Sequence, residues 1–220
     1  MVGLLGLVQV TREAAAVVSQ NAWWMGWNLV LALVPLGLAV RLFRDRGRGP
    51  RRGARGAWWW AGAVAFVLFL PNAPYVLTDV VHLYGDVRVV ESDAVLSLAV
   101  LPQYALFMLV GFASYVACLV LLEGYAGRRR SRWMRPSIHA LSALGIYLGR
   151  VVRLNSWDAA LHPSAVVRAV GETISVYGVL LLGITFCVLV LLTDAAVAAW
   201  GLWSQRASVG RHGDAPAGSD

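Results

Sequence analysis

An aspartate and a histidine three residues apart, Asp79 and His82, and two arginines three residues apart, Arg150 and Arg153, stand out chemically in this 220-residue chain. A histidine titrates near neutral pH, so beside a carboxylate it can position or exchange a proton. A guanidinium holds a phosphate or carboxylate through two parallel hydrogen bonds. Asp-x-x-His is also a pair of metal-ligand types, with His162 as a third donor, although the paired pattern of strong sites such as HExxH is missing. The first pair lies in LPNAPYVLTDVVHLYGDVR, residues 70–88. Pro71 and Pro74 bias the residues before them away from helix, and Asn72 is placed to satisfy freed carbonyls. Beyond them Tyr75, Thr78, Asp79, His82 and Asp86 fall within an arc of about 100° on a helix of 3.6 residues per turn. The second pair lies in GIYLGRVVRLNSWDAALH, residues 145–162. Gly145 and Gly149 form a G-x-x-x-G that lets another element approach closely. Arg150 and Arg153, one turn apart, are expected to point the same way. Asn155, Ser156 and Asp158 follow where the helix leaves the membrane, with Asp158 as a cap for the next helix.

The elements that must hold these groups are membrane helices. Apolar residues make up 59% of the chain and charged residues 14%, with a mean hydropathy of +0.64. Soluble domains carry about a quarter charged residues, so this chain lacks the polar surface to dissolve. A hydrocarbon core about 30 Å thick takes roughly 20 apolar residues in helix. Five stretches qualify: 22–42, 57–70, 94–122, 137–152 and 174–200. The second and fourth need their flanks to complete a crossing, and the third and fifth are long enough to tilt. The fold class expected is all-α, a polytopic membrane protein of about five transmembrane helices plus short interfacial helices. Residues 1–21 carry Arg12 and Glu13 and are expected at the interface, residues 22–203 form one membrane domain, and 204–220 is a disordered cytoplasmic tail. The start MVGLLGLVQV has no basic region ahead of its apolar run, so no signal peptide is expected there. Cys118 and Cys187 lie in apolar runs and read as packed thiols.

Orientation follows from the arginines, which supply all nineteen basic residues. Fourteen fall in the 41–56 linker, the 123–135 linker and the tail, against five elsewhere (Arg12, Arg88, Arg150, Arg153 and Arg168). The positive-inside rule makes the arginine-rich side cytoplasmic, with the N-terminus outside and the C-terminus inside. A pI near 10.1 would also suit a nucleic-acid partner, but arginines in loops between apolar runs report topology, so no nucleic acid is expected. Both motifs then face outward. An arginine just inside a membrane boundary must snorkel, pair or face water, so Arg150 and Arg153 are expected to meet Asp79, Asp86 or Asp158. Asn28 and Gln103, beside Pro102, sit at similar depth. Such a cluster is either a site or a set of packing staples.

LPNAPY-x-x-TD-x-x-HL, followed some sixty residues on by YLGR-x-x-R-x-NSWD, resembles the hallmark pair of an uncharacterised bacterial membrane family, domain-of-unknown-function family 1361. Trp27-Asn28-Leu29 and Pro35 fit the same family, whereas Leu154 departs from the aromatic expected after the second arginine. The resemblance implies a small multi-pass protein and marks Asn72, Asp79, His82, Arg150, Arg153, Asn155 and Asp158 without giving them roles. Four functions are compatible with these residues. One is an outward polar pocket for an anionic lipid or envelope ligand, with the bilayer itself as partner. The others are a non-enzymatic assembly or accessory subunit, a metal-dependent membrane hydrolase and a small transporter. No cofactor is implied.

Overall fold

A computed structural model describes residues 2–44, 56–154, 161–172 and 175–213. Among them every regular element is helical: α1 (Val2–Phe43), α2 (Ala57–Phe69), α3 (Asn72–Tyr75), a 3-10 turn (Val76–Asp79), α4 (Val80–Val89), α5 (Asp93–Val95), a π turn (Leu96–Val100), α6 (Leu101–Ala126), α7 (Arg128–Tyr147), a second π turn (Leu148–Val152), α8 (Pro163–Glu172) and α9 (Val176–Gly213). Among the described residues four helical stretches are long and apolar enough to cross a membrane: Gly6–Phe43, Ala57–Val89, Asp93–Ala126 and Val176–Ser204. The chain is an all-α, multi-pass membrane protein. The stretch 137–152, read as a fifth span, lies on α7 and its π turn, which run from the Arg135–Glu123 contact to the Arg150–Asp79 contact but, with Arg128, Arg129, Arg130, Arg132 and Arg135 in the first half of α7, are not among those four by composition. No break in helix marks residue 21, because α1 runs through it. Likewise α9 runs to Gly213, into the tail expected to be disordered. Most of the arginine linker, Asn155 and Asp158 fall outside the described residues.

Side-chain contacts give the direction of each helix. Ser114 donates to the Ala32 carbonyl at 2.8 Å and Gln103 to the Val18 carbonyl at 3.3 Å, nearly the same offset, so α1 and α6 run parallel. Tyr115 meets His139 and Glu123 meets Arg135, so α7 runs back along α6 after a turn at Gly127, whose φ is +79°. Phe186 faces His139 and Asp194 faces Arg135, so α9 is antiparallel to α7. The buried core follows the α1–α2–α6 seam. Ala32 and Ala39 have no exposed surface, which lets α6 come close, and Phe43 packs edge-on to Phe66 at 5.1 Å.

Prolines shape the segment that carries the first motif. Pro71 lacks an N–H and ends α2, but Leu70, Pro71 and Val76 all keep right-handed helical angles. The chain therefore bends and continues rather than reversing, and Ala57–Val89 crosses as one interrupted rod. Pro102 is accommodated similarly: Leu101 N–H reaches back five residues to the Leu96 carbonyl, a widened turn just before the proline. Gly145 receives the Pro71 ring, Gly111 faces Val76 and Ala73, and Gly149 faces Tyr75, so the bent segment is wedged between α6 and α7.

Candidate functional site

Tyr75, Asp79, His82 and Asp86 line one face of the bent segment and meet α1, α6 and the end of α7 around a polar cleft of about 530 Å³. Asp79 is 1% exposed, and its Oδ1 accepts from Arg150 Nη1 at 3.2 Å. The Arg150 guanidinium also donates to the Tyr75 hydroxyl at 3.3 Å and to the Thr78 carbonyl at 2.8 Å, while lying over the Tyr75 ring. That carbonyl lies in the 3-10 turn, where the Val80 N–H is also directed at it. His82 Nε2 stands 3.8 Å from Asp79 Oδ1, too far for a hydrogen bond, and is half-exposed to the cleft. Asn28 of α1 adds a polar contact to the Asp79 carboxylate. Oδ2 of Asp79 makes no well-formed hydrogen bond among the described residues.

A second carboxylate closes the cleft. Asp86 Oδ2 accepts from Asn21 Nδ2 at 2.7 Å and from the Tyr104 hydroxyl at 3.0 Å. Asn21 in turn accepts from Trp24 Nε1 at 3.0 Å, and the Trp24 ring lies 5.0 Å from His82. The cleft thus holds two carboxylates against one arginine, three of whose N–H groups are already engaged. Chemically it is a proton-accepting, hydrogen-bonding pocket, not an anion trap. Among the described residues no three His, Cys, Asp or Glu side chains converge as a metal site requires.

Arg153 departs from its expected direction. The π turn at Leu148–Val152 widens the helix, and Arg153 itself has φ 64° and ψ 34°, the left-handed region. The two arginines therefore diverge: Arg150 turns into the polar cleft, and Arg153 lines a second cavity of about 530 Å³. That cavity lies between α1, α2 and α7 and is mainly apolar, with Leu31, Leu68, Leu144 and Leu148 in its walls. Asn28 and Tyr75 line both cavities and form the wall between them. Asn72, whose amide donates to the Phe69 carbonyl at 2.9 Å, borders the apolar one. No carboxylate pairs with Arg153 among the described residues. A left-handed arginine costs roughly 1–2 kcal/mol at a position where helices usually place glycine.

The family model "Protein of unknown function (DUF1361)" matches residues 27–193. The chain belongs to this family. No curated protein and no solved structure matches the chain. The match begins at Trp27, at the rim of the apolar cavity, and includes Asn72, Asp79, His82, Arg150 and Arg153. Asn21 and Trp24, which complete the second carboxylate's setting, precede the DUF1361 match.

Several residues of this DUF1361 chain escaped the sequence reading. Tyr104 looks like one more aromatic in an apolar run, and only its partner across the bundle reveals its role. Arg135, read as a topology marker, donates to both oxygens of Glu123, one of them at 2.8 Å, and to Asp194 at 3.0 Å. It ties α6, α7 and α9 together at the end opposite the cleft, and the two carboxylates hold its pKa above the usual arginine value. Glu123 and Asp194 are both engaged by it. Between the two ends, Tyr115 hydroxyl and His139 Nδ1 share a buried hydrogen bond of 2.8 Å. No periodicity signal marks His139, since one histidine on an apolar face looks like any buried residue.

Proposed function

We propose that this protein lies in the plasma membrane with its N-terminus outside, its C-terminus in the cytoplasm and its polar cleft facing outward. At that face, beside the cleft, it binds an anionic lipid or envelope ligand. The observation that carries this reading is the divergence of the two arginines. Arg150 is consumed by Asp79, Tyr75 and Thr78, whereas Arg153 is exposed, conformationally strained and without a carboxylate partner among the described residues. Strain retained at a charged side chain is characteristic of groups held ready for a ligand. Arg153 supplies the anion contact. His82, with Asp79 behind it, supplies hydrogen bonding to the part of the ligand that reaches the cleft.

The test is complementation of a deletion strain with protein level measured alongside. Arg153→Ala and His82→Ala are expected to lose complementation while protein level stays within about twofold of wild type. Loss of complementation only in proportion to protein level would sink the binding reading. The second reading is a non-enzymatic accessory subunit, favoured by α9, which packs chiefly on α7 and leaves Ile184, Leu191 and Trp200 exposed. Loss of a co-purifying subunit on mutating that face, with Arg153→Ala silent, would select it.

A further inference from the structure

We propose that the ligand is an anionic membrane phospholipid, bound from the side with an acyl chain in the apolar cavity and its phosphate on Arg153. This deepens the proposed function and rests on it for the anion and the membrane side. Four observations support it. Leu141 and Arg153 bound the cavity twelve positions apart, so at 1.5 Å per residue it extends roughly 18 Å along α7. That is close to one leaflet of a hydrocarbon core about 30 Å thick. The walls are Leu31, Leu68, Leu144 and Leu148, whereas the polar groups gather at one end with Arg153 and Asn72. A lipid has the same one-ended polarity, and a soluble glycan phosphate does not. Val67 and Leu141 are 40% and 47% exposed at the rim, so the slot opens sideways toward the bilayer rather than only to water. The volume, about 530 Å³, falls within the usual range for a bound small molecule, roughly 300–1,000 Å³.

The shared wall gives the arrangement a consequence. A headgroup held by Arg153 lies across Tyr75 and Asn28 from His82 and Asp79, so the acyl slot and the polar cleft serve opposite ends of one amphipathic molecule.

The test is native mass spectrometry of the full chain titrated with phosphatidylglycerol or phosphatidylcholine in detergent. Wild type is expected to retain phosphatidylglycerol roughly five- to tenfold better than phosphatidylcholine. Arg153→Gly, which fits the left-handed backbone, is expected to lose that preference while still binding phosphatidylcholine. Leu144→Trp is expected to weaken both lipids together. Millimolar inorganic phosphate is expected to leave phosphatidylglycerol bound. Equal retention of the two lipids by wild type, or an unchanged preference in Arg153→Gly, overturns the inference. Displacement by inorganic phosphate overturns it in favour of a free phosphate, and a dimer that Leu144→Trp dissolves overturns it in favour of a second copy. Complementation scored in parallel keeps the two readings apart. Lost lipid preference with intact complementation in Arg153→Gly overturns the proposed function alone.

Discussion

Asp79 and Arg150 face each other where neither can be left alone. Asp79 is buried, and removing Arg150 leaves a carboxylate without its counter-charge. Losing one partner of a buried pair costs about 3–5 kcal/mol, whereas replacing both with apolar groups is often neutral. Arg150→Leu is therefore expected to lower stability by about 3 kcal/mol in detergent unfolding, and Asp79→Leu with Arg150→Leu to recover most of it. Additive losses in that cycle would refute the pairing. Arg153 has the opposite sign. With no carboxylate to hold among the described residues and a left-handed backbone to support, Arg153→Gly is expected to gain about 1 kcal/mol, read as a higher unfolding midpoint. One arginine staples the fold and its neighbour burdens it, which separates structural from ligand-directed charge within a single turn.

At the scale of elements, the bent segment Pro71–Asp79 is held by what α6 and α7 omit. A Cβ at Gly145 would collide with the Pro71 ring, and one at Gly111 would meet Val76 side-chain atoms and, at 3.1 Å, the Ala73 carbonyl oxygen. Gly145→Ala and Gly111→Ala are expected to cost about 1–3 kcal/mol each, by overpacking. Gly37→Ala, with nothing within 4 Å of the added carbon, is expected to be neutral or to gain up to about 1 kcal/mol. Equal effects at all three positions would show that helix propensity, not the wedge, governs them. The G-x-x-x-G was legible as a close approach. Its occupant was not, because a proline-bent turn leaves no mark on the glycines that receive it.

Across the whole molecule, two charged clusters cap a middle without ion pairs among the described residues, where Tyr115 and His139 share a buried hydrogen bond. Tyr104, at the cleft, and Glu123, at the Arg135 cluster, are nineteen residues apart on α6, which is roughly 29 Å of helix. The hydrocarbon core is about 30 Å thick, so the clusters sit at its two faces. Single cysteines at His82 and Arg129, introduced after Cys187→Ser, are expected to react oppositely with an impermeant maleimide on intact cells. The first labels and the second does not, while buried Cys118 stays silent. The reverse pattern would turn the proposed outward cleft inward.

Composition and spacing alone determined that this chain is helical and crosses a membrane, because apolar runs of that length have no other stable home. They also determined which polar residues needed explaining, since an ion in oil must find a partner. Tertiary structure decided which partner. Asp86 went to Asn21 and Tyr104, Asp79 went to Arg150, and Arg153 went to a groove. Helical spacing put both arginines on one side, and a single widened turn with one left-handed residue sent them apart. A period of 3.6 holds only while the ladder is regular, and here it breaks at the residues that matter.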